Sequence, residues 1–257
     1  SSVGAFDSAV IDAIITFFML LFGINFALFY RVLVGGWRDA LRSEELHWYL
    51  ALFAGSTLFV SLMILPQYGT FLNALRYGSF QVATIMSTTG YATADFNLWP
   101  QAVKALIVVL MFIGSCAGST AGGIKVVRVG ILCKLGCREM RRTFQPRKVQ
   151  VVRFEGKGVE ENRLTQVSVF FFVYVLLVLA GMFLVSLEGL YDLETNFTAV
   201  LTCISNVGPG LGHVGPVENF SGYGPFAKVV LSLLMLAGRL ELFPILVLFH
   251  PSAWRKG

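Results

Sequence analysis

Long apolar blocks alternate with short polar links along this chain. Apolar runs occupy 9–30, 48–65, 102–116, 167–187 and 229–249. Each is continuous, and crossing ~30 Å of hydrocarbon as a helix takes about 20 such residues. The pattern predicts spanning helices; a porin-like barrel would instead repeat alternating segments of about ten residues. The block at 102–116 is marginal in length and runs into a glycine-rich break.

Two further apolar runs, 79–87 and 195–205, have only nine and eleven residues. At ~1.5 Å rise per residue they reach about halfway through the hydrocarbon. Both are predicted to be re-entrant, and irregular backbone at that depth is tolerated only where protein shields it or a wet cavity adjoins it. The chain therefore repeats a unit of span, short helix, turn and span. The first copy uses 48–66, 79–87, the turn 88–93 and then 102 onward. The second uses 167–187, 195–205, the turn 206–210 and then 229–249. The span 9–30 is left over, as the closing span of a preceding copy. This divides the chain into 1–45 (closing span and link), 46–164 (one pore repeat with a broken second span and a basic segment) and 165–257 (a further repeat and the C-terminus).

Composition agrees with a membrane protein: 56% of the 257 residues are hydrophobic, 14% are charged, and Phe occurs 23 times. Charge sets the orientation, because lysine and arginine govern sidedness where acids hardly count. Residues 125–163 hold eleven of the twenty basic residues against four acids, so this segment is expected in the cytoplasm, as is the 31–45 link. The links 66–101 and 188–225 are poor in basic residues and are expected outside, and Trp254-Arg255-Lys256 is expected inside. Cys116, Cys133, Cys137 and Cys203 show no framework of evenly spaced pairs and are expected as free thiols. Cys133 and Cys137 lie one helical turn apart, but no His or further Cys accompanies them; His47, His213 and His250 are scattered, and no metal site is expected. Asn196-Phe-Thr198 and Asn219-Phe-Ser221 match glycosylation sequons. The chain opens SSVGAFDSAV, without methionine or a charged leader, as a chain cut from something longer would.

The chemistry concentrates at the turns. After the first short helix comes Thr88-Thr89-Gly90-Tyr91; threonine hydroxyls and extended backbone carbonyls can replace the hydration shell of a cation, and Gly90 permits the backbone such a path needs. The same four residues also suit an ordinary tight turn. After the second short helix, Gly208 takes the place of Gly90 within Asn206-Val207-Gly208. Helix dipoles put partial negative charge, roughly half a unit each, at these C-terminal ends. Two nucleotide motifs fail here. Gly210-Leu-Gly-His-Val-Gly215 follows a helix rather than a strand and precedes Pro216, and Gly118-x4-Gly123 is followed by Ile124 before Lys125 with no Ser or Thr after it.

Four segments carry a resemblance: Ser87-Thr-Thr-Gly-Tyr-Ala-Thr93, Gly114-Ser-Cys-Ala-Gly-Ser-Thr-Ala-Gly-Gly-Ile-Lys125, Ser205-Asn-Val-Gly-Pro-Gly210 and Gly238-Arg-Leu-Glu-Leu-Phe243. With them the chain resembles the C-terminal half of a TrkH-type subunit of the Trk/Ktr/HKT superfamily of potassium transporters. The resemblance implies an all-α integral membrane fold of span–re-entrant pore helix–span repeats in a potassium-channel-like pore. Four non-identical repeats would surround one pore, with Thr88, Thr89 and Gly90 as the third filter segment and Asn206, Val207 and Gly208 as the fourth. The fourth departs from the Thr-rich pattern, so selection is expected to be less sharp than in a symmetric filter. No cofactor is implied, and potassium is the substrate. The implied partners are membrane lipid, the missing N-terminal half with filter segments one and two, a second whole subunit in a homodimer, and a cytosolic nucleotide-binding ring of TrkA type. No nucleic acid is implied.

Gly114, Gly118, Gly122 and Gly123 interrupt a span together with Ser115, Ser119 and Thr120. From the residues alone this is either an irregular cavity-lining segment or a small-residue packing face between helices. In proteins the chain resembles, the segment up to Lys125 is a gating loop beneath the filter. Arg239, inside the last block, costs at least ~2.5 kcal/mol to insert and must have partners. Either it ties to carbonyls or an acid on a neighbouring helix, or it lies beneath the filter against the 114–125 loop and repels cations; Glu241, two positions on, faces another side of the helix. The basic segment is an orientation signal, a contact for anionic lipid or the regulator's docking surface. Asp12 and Asn25 are expected to make helix contacts. The function expected is potassium uptake across the bacterial inner membrane without bond chemistry, since no His/Asp/Glu or Cys/His grouping suits an enzyme. The alternatives are a sodium or mixed-cation pathway and a non-conducting assembly subunit.

Overall fold

The structure, a computed structural model, describes residues 2–145 and 150–240. Helices dominate these residues, in the order α1 (Ala9–Phe22), α2 (Phe26–Leu33), α3 (Trp37–Leu41), α4 (Glu44–Tyr68), α5 (Phe71–Met86), α6 (Gln101–Phe112), α7 (Val126–Phe144), α8 (Glu161–Ser186), α9 (Leu193–Ser205) and α10 (Pro225–Arg239). One two-stranded hairpin, β1 (Arg153–Phe154) with β2 (Lys157–Gly158), stands between α7 and α8. By length and composition α4 and α8 can each cross a membrane, and α1 with α2 can do so if the bent pair is one span.

The uninterrupted first span expected over 9–30 is not found. The chain bends by 90° between α1 and α2. A side chain on Gly23 would run into the Tyr49 hydroxyl and Ser115, the Gly23 carbonyl accepts from Cys116 N–H at 3.1 Å, and Asn25 caps α2 by accepting from Ala27 N–H. Asn25 is thus a cap at a bend as well as a contact residue. Apolar continuity could not show this, because both arms of the bend remain apolar.

Helix α4 starts at Ser43, whose hydroxyl accepts from Leu46 N–H, and stops at Gly69 in the left-handed region. Thr70 then caps α5, so α5 folds straight back along α4. In the second copy Asp192 caps α9 by accepting from Thr195 N–H; hydrogen bonds from Thr195 hold that carboxyl below the usual carboxylate range. Helices α5 and α9 have 16 and 13 residues, about 24 and 20 Å at ~1.5 Å per residue, still short of ~30 Å of hydrocarbon. They outrun the expected 79–87 and 195–205 because polar residues, Asn73 and Arg76 in α5 and Glu194 in α9, interrupt the apolar run in their N-terminal parts. Their C-terminal parts are buried on all sides, Phe80 through Met86 and Thr198 through Ser205, as a helix walled by other helices must be.

Helix α9 lies against α8, α10 and α6, while α5 lies against α4, α1 and α6. The joint core includes Tyr49, Ile64, Ile107, Leu110, Tyr174 and Leu201. Helix α6 ends at Phe112 rather than continuing to 116, and α10 starts at Pro225, with proline in its first turn. The remainder of the last apolar block, with Glu241, Phe243, His250 and Trp254-Arg255-Lys256, lies outside the described residues, as do Arg147 and Lys148.

Candidate functional site

The two turns after α5 and α9 match bond for bond. Thr88 and Asn206 are both non-glycine residues in the left-handed region, at φ 54° and 56°, and Gly90 and Gly208 follow two places later at 80° and 115°. Thr88 N–H donates to Ile85 and Asn206 N–H to Cys203; Thr89 N–H donates to Thr84 at 2.9 Å and Val207 N–H to Thr202 at 3.0 Å. Two unlike sequences, Ser-Thr-Thr-Gly and Ser-Asn-Val-Gly, thus take one backbone path. Left-handed residues two apart keep the carbonyls from continuing the helical ladder and leave them free to face a ligand.

Space between the two turns is tight. A Cβ on Gly90 would collide with the Val207 carbonyl, and one on Gly208 would stand 3.6 Å from the Gly90 Cα. The structure therefore brings Gly90, Val207 and Gly208 together at the C-terminal ends of both short helices. The side chains differ between the copies: Thr202 Oγ1 accepts from Gly208 N–H at 2.9 Å, whereas its counterpart Thr84 Oγ1 is buried with no hydrogen-bond partner among the described residues.

Beneath the turns runs the glycine-rich segment, a loop closed at its base. Ile113 and Ile124 pair as a parallel bridge, with Gly114 N–H donating to Ile124 and Ile124 N–H to Phe112. A Cβ on Gly114 would collide with the Gly122 carbonyl, and one on Gly122 with the Ser205 carbonyl. Gly122 reaches both turns: its N–H donates to Thr88 Oγ1 at 3.1 Å, and its Cα abuts the Ser205 carbonyl. Gly118 and Gly123 are left-handed, at φ 67° and 69°, and the Gly118 carbonyl accepts from Phe26 N–H at 3.4 Å. Lys125 bonds the Ala121 carbonyl and begins α7. The loop's serines also bind: Ser115 Oγ donates to the Met86 carbonyl, at the end of α5, at 2.7 Å.

Arg239 donates from Nη1 to the Thr120 carbonyl at 2.6 Å, so the last described turn of α10 meets the loop. Next to it Gly238 lies against the Ile204 carbonyl. Arg239, Thr120, Gly122, Lys125, Tyr174 and Ile204 are among the residues lining a cavity of about 350 Å³ between loop, α8 and α10.

Several residues of this arrangement escaped the sequence reading. Tyr174 shares a 2.7 Å hydrogen bond with Ser205 Oγ at the end of α9; its hydroxyl in a Phe/Val-rich span was the available signal. Asn97 bonds Gly212 in both directions, at 3.0 Å each, joining the links of the two copies, and nothing local marks it. Glu45, buried at the start of α4, accepts from Ala117 N–H of the loop at 2.5 Å. The sequence showed it only as one of the acids of a mixed-charge link.

The family described as TrkH, cation transport protein, matches residues 65–256. The chain is 36% identical over 263 residues to the Trk system potassium uptake protein TrkH of Salmonella typhimurium, covering 100% of this chain and 53% of that protein. It is 31% identical over 262 residues to the Trk system potassium uptake protein TrkG of Escherichia coli K12, covering 99% and 52%. The crystal structure of the potassium transporter TrkH from Vibrio parahaemolyticus aligns with a TM-score of 0.89 at 33% identity, over 98% of this chain and 55% of that one. The chain thus spans about half the length of the curated relatives it matches.

Proposed function

The chain belongs to the TrkH family of cation transport proteins, and from that premise we propose that it is the C-terminal half of a potassium uptake subunit of the bacterial inner membrane. The family is one of transporters, not enzymes. In this reading Thr88, Thr89 and Gly90 form one filter segment and Asn206, Val207 and Gly208 the next. The observation that carries it is the matched pair of turns, left-handed at Thr88 and Asn206 and again at Gly90 and Gly208, meeting where two helix dipoles end. Potassium passes down its electrochemical gradient, its hydration shell replaced by carbonyl and hydroxyl oxygens.

The loop with Gly114, Gly118, Gly122, Gly123 and Lys125 acts as the gate, with Arg239 holding it closed and repelling cations from below. Gly122 abutting both turns and Arg239 bonding Thr120 support this. The missing N-terminal half supplies the other two filter segments, whole subunits dimerise, and a nucleotide-binding cytosolic ring of TrkA type docks on the basic surface around α7. On the charge asymmetry that surface and the C-terminus face the cytoplasm. The repeat boundaries at 45/46 and 164/165 belong to the same proposal.

The test is rubidium uptake, with and without excess sodium, in potassium-uptake-deficient cells carrying the longest natural chain that contains this sequence. Uptake that resists sodium is the expected result. Uptake abolished by sodium would instead favour a mixed-cation pathway, which Asn206 and Val207 in place of threonines make the second reading. Abundant membrane-inserted protein without uptake, regulator included, would leave a non-conducting assembly subunit.

A further inference from the structure

The β1–β2 hairpin does something its two short strands do not require. Its turn is Glu155-Gly156, with both residues left-handed at φ 53° and 72°, a two-residue connection that prefers Asn, Asp or Gly at the first position. Glutamate is poorly suited there, and its carboxylate reaches away from the hairpin to the start of α4. It accepts from Ser43 Oγ at 2.8 Å and from Glu45 N–H at 3.1 Å. In return Glu155 N–H donates to the Glu44 carboxylate at 3.1 Å. This is a capping box formed between two distant parts of the chain: an acid neutralises exposed N–H groups at a helix start. Lys134 of α7 closes the set, paired with Glu44 and donating to the Arg153 carbonyl at 2.8 Å.

The residue whose N–H is held by Glu155 is the residue whose side chain holds the loop. Glu45 is buried, and its carboxylate faces Ala117 N–H, the Asn25 amide and the backbone at Val127. Burying a carboxylate is costly unless hydrogen bonds compensate, and these partners belong to the loop, the bend before α2 and the start of α7. One helical turn thus carries the hairpin on its backbone and the loop on its side chain.

We propose that the hairpin and the glycine-rich loop are mechanically coupled through the first turn of α4, with Glu155 fixing the helix end and Glu45 acting as a positioning residue for the loop at Ala117. The proposal rests on reading the loop as a gate, and adds a route by which a displacement of the hairpin reaches it. Pulling Glu155 away frees the helix end, Glu45 shifts, and the loop loses the anchor opposite the one Arg239 provides at Thr120.

Cys116, fully buried beside Ala117, reports loop position directly. In the full-length protein with every other cysteine replaced by serine, its rate of modification by a water-soluble thiol reagent is measured alongside rubidium flux in proteoliposomes. Glu155→Asn suits the left-handed turn better than glutamate does, so the hairpin is retained while the carboxylate is lost. Cys116 labelling should rise at least on the order of tenfold, as for loss of a hydrogen bond to a charged group, with basal flux rising in step. Glu45→Gln should do the same, and combining the two should add little, because both cut one pathway. Glu161→Gln, which cuts the ion pair to Arg138 elsewhere on α7, should leave labelling at the wild-type rate. Unchanged labelling in Glu155→Asn would overturn the coupling and leave the gate reading standing. Increased labelling with wild-type flux would uphold the coupling and sink the gate reading.

Discussion

Only a hydrogen atom fits on the Cα of Gly90, since its φ is 80° and the Val207 carbonyl occupies the space a Cβ would take. Gly90→Ser must therefore strain its own turn or push the neighbouring one. The expected result is folded protein with reduced preference for potassium over sodium, read as rubidium uptake under sodium competition; unaltered preference would remove Gly90 from the filter. Arg239 was legible as a costly charge in an apolar block, but which partner it takes was not. Its bond to the Thr120 carbonyl unites the two readings left open by the sequence, a tie to a carbonyl and a contact with the loop. Hydrogen bonds to charged groups contribute about 1.5–3 kcal/mol, so Arg239→Ala should raise basal flux on the order of tenfold in proteoliposomes. Unchanged or lower flux in folded protein would end the gating role.

At the scale of elements, the loop between α6 and α7 is held by hydrogen bonds that include those to Gly23, Phe26, Glu45, Met86, Thr88 and Arg239. Gly122→Ala would force the loop off the Ser205 carbonyl and should raise basal flux. Gly136→Ala in α7, where a Cβ meets nothing within 4 Å, should leave flux unchanged and favour the helix by about 1 kcal/mol. Equal flux in the two variants would show that close packing under the turns does not matter. Helix α1 joins α5 through Asp12, nearly fully buried, bonded to Arg76 at 2.6 Å. Removing one partner of a fully buried pair costs about 3–5 kcal/mol, and the loss here is smaller, because Arg76 is partly exposed and keeps its pairing with Asp7 at 3.3 Å. Asp12→Ala should lower the melting temperature in detergent, and adding Arg76→Leu should recover much of the loss; additive losses would contradict the pairing. The apolar periodicity exposed the spans and both short helices, but not the bend at Gly23 or the β1–β2 hairpin. The bend depends on Tyr49 and Ser115 arriving from elsewhere, and the hairpin on a reach from Glu155 to Ser43, 112 positions away.

At the scale of the molecule, α5 and α9 each need walls, and helices α1, α4, α6, α8 and α10 supply them on the described sides. The other face of the turns remains open: Thr88, Thr89, Asn206 and Gly208 line a cavity of about 580 Å³ with Phe220 and Lys228. In the proposed assembly the filter segments of the missing half stand on that side. Two turns alone cannot encircle an ion, so every flux prediction applies to the full-length protein.

The sequence by itself determined the helical membrane class, the two short apolar helices and the glycine-bearing turns that follow them. Each of these rests on local quantities: apolar length against bilayer thickness, glycine placement and the excess of basic residues over 125–163. Only the tertiary structure decided how the copies meet. That Gly90 faces Val207, that Gly122 reaches both turns, that Glu45 carries the loop while Glu155 carries Glu45, and that Arg239 reaches Thr120 are facts of packing between segments up to 119 positions apart. Steric fit and buried hydrogen bonds of this kind depend on where backbones converge, which no single stretch of the chain encodes.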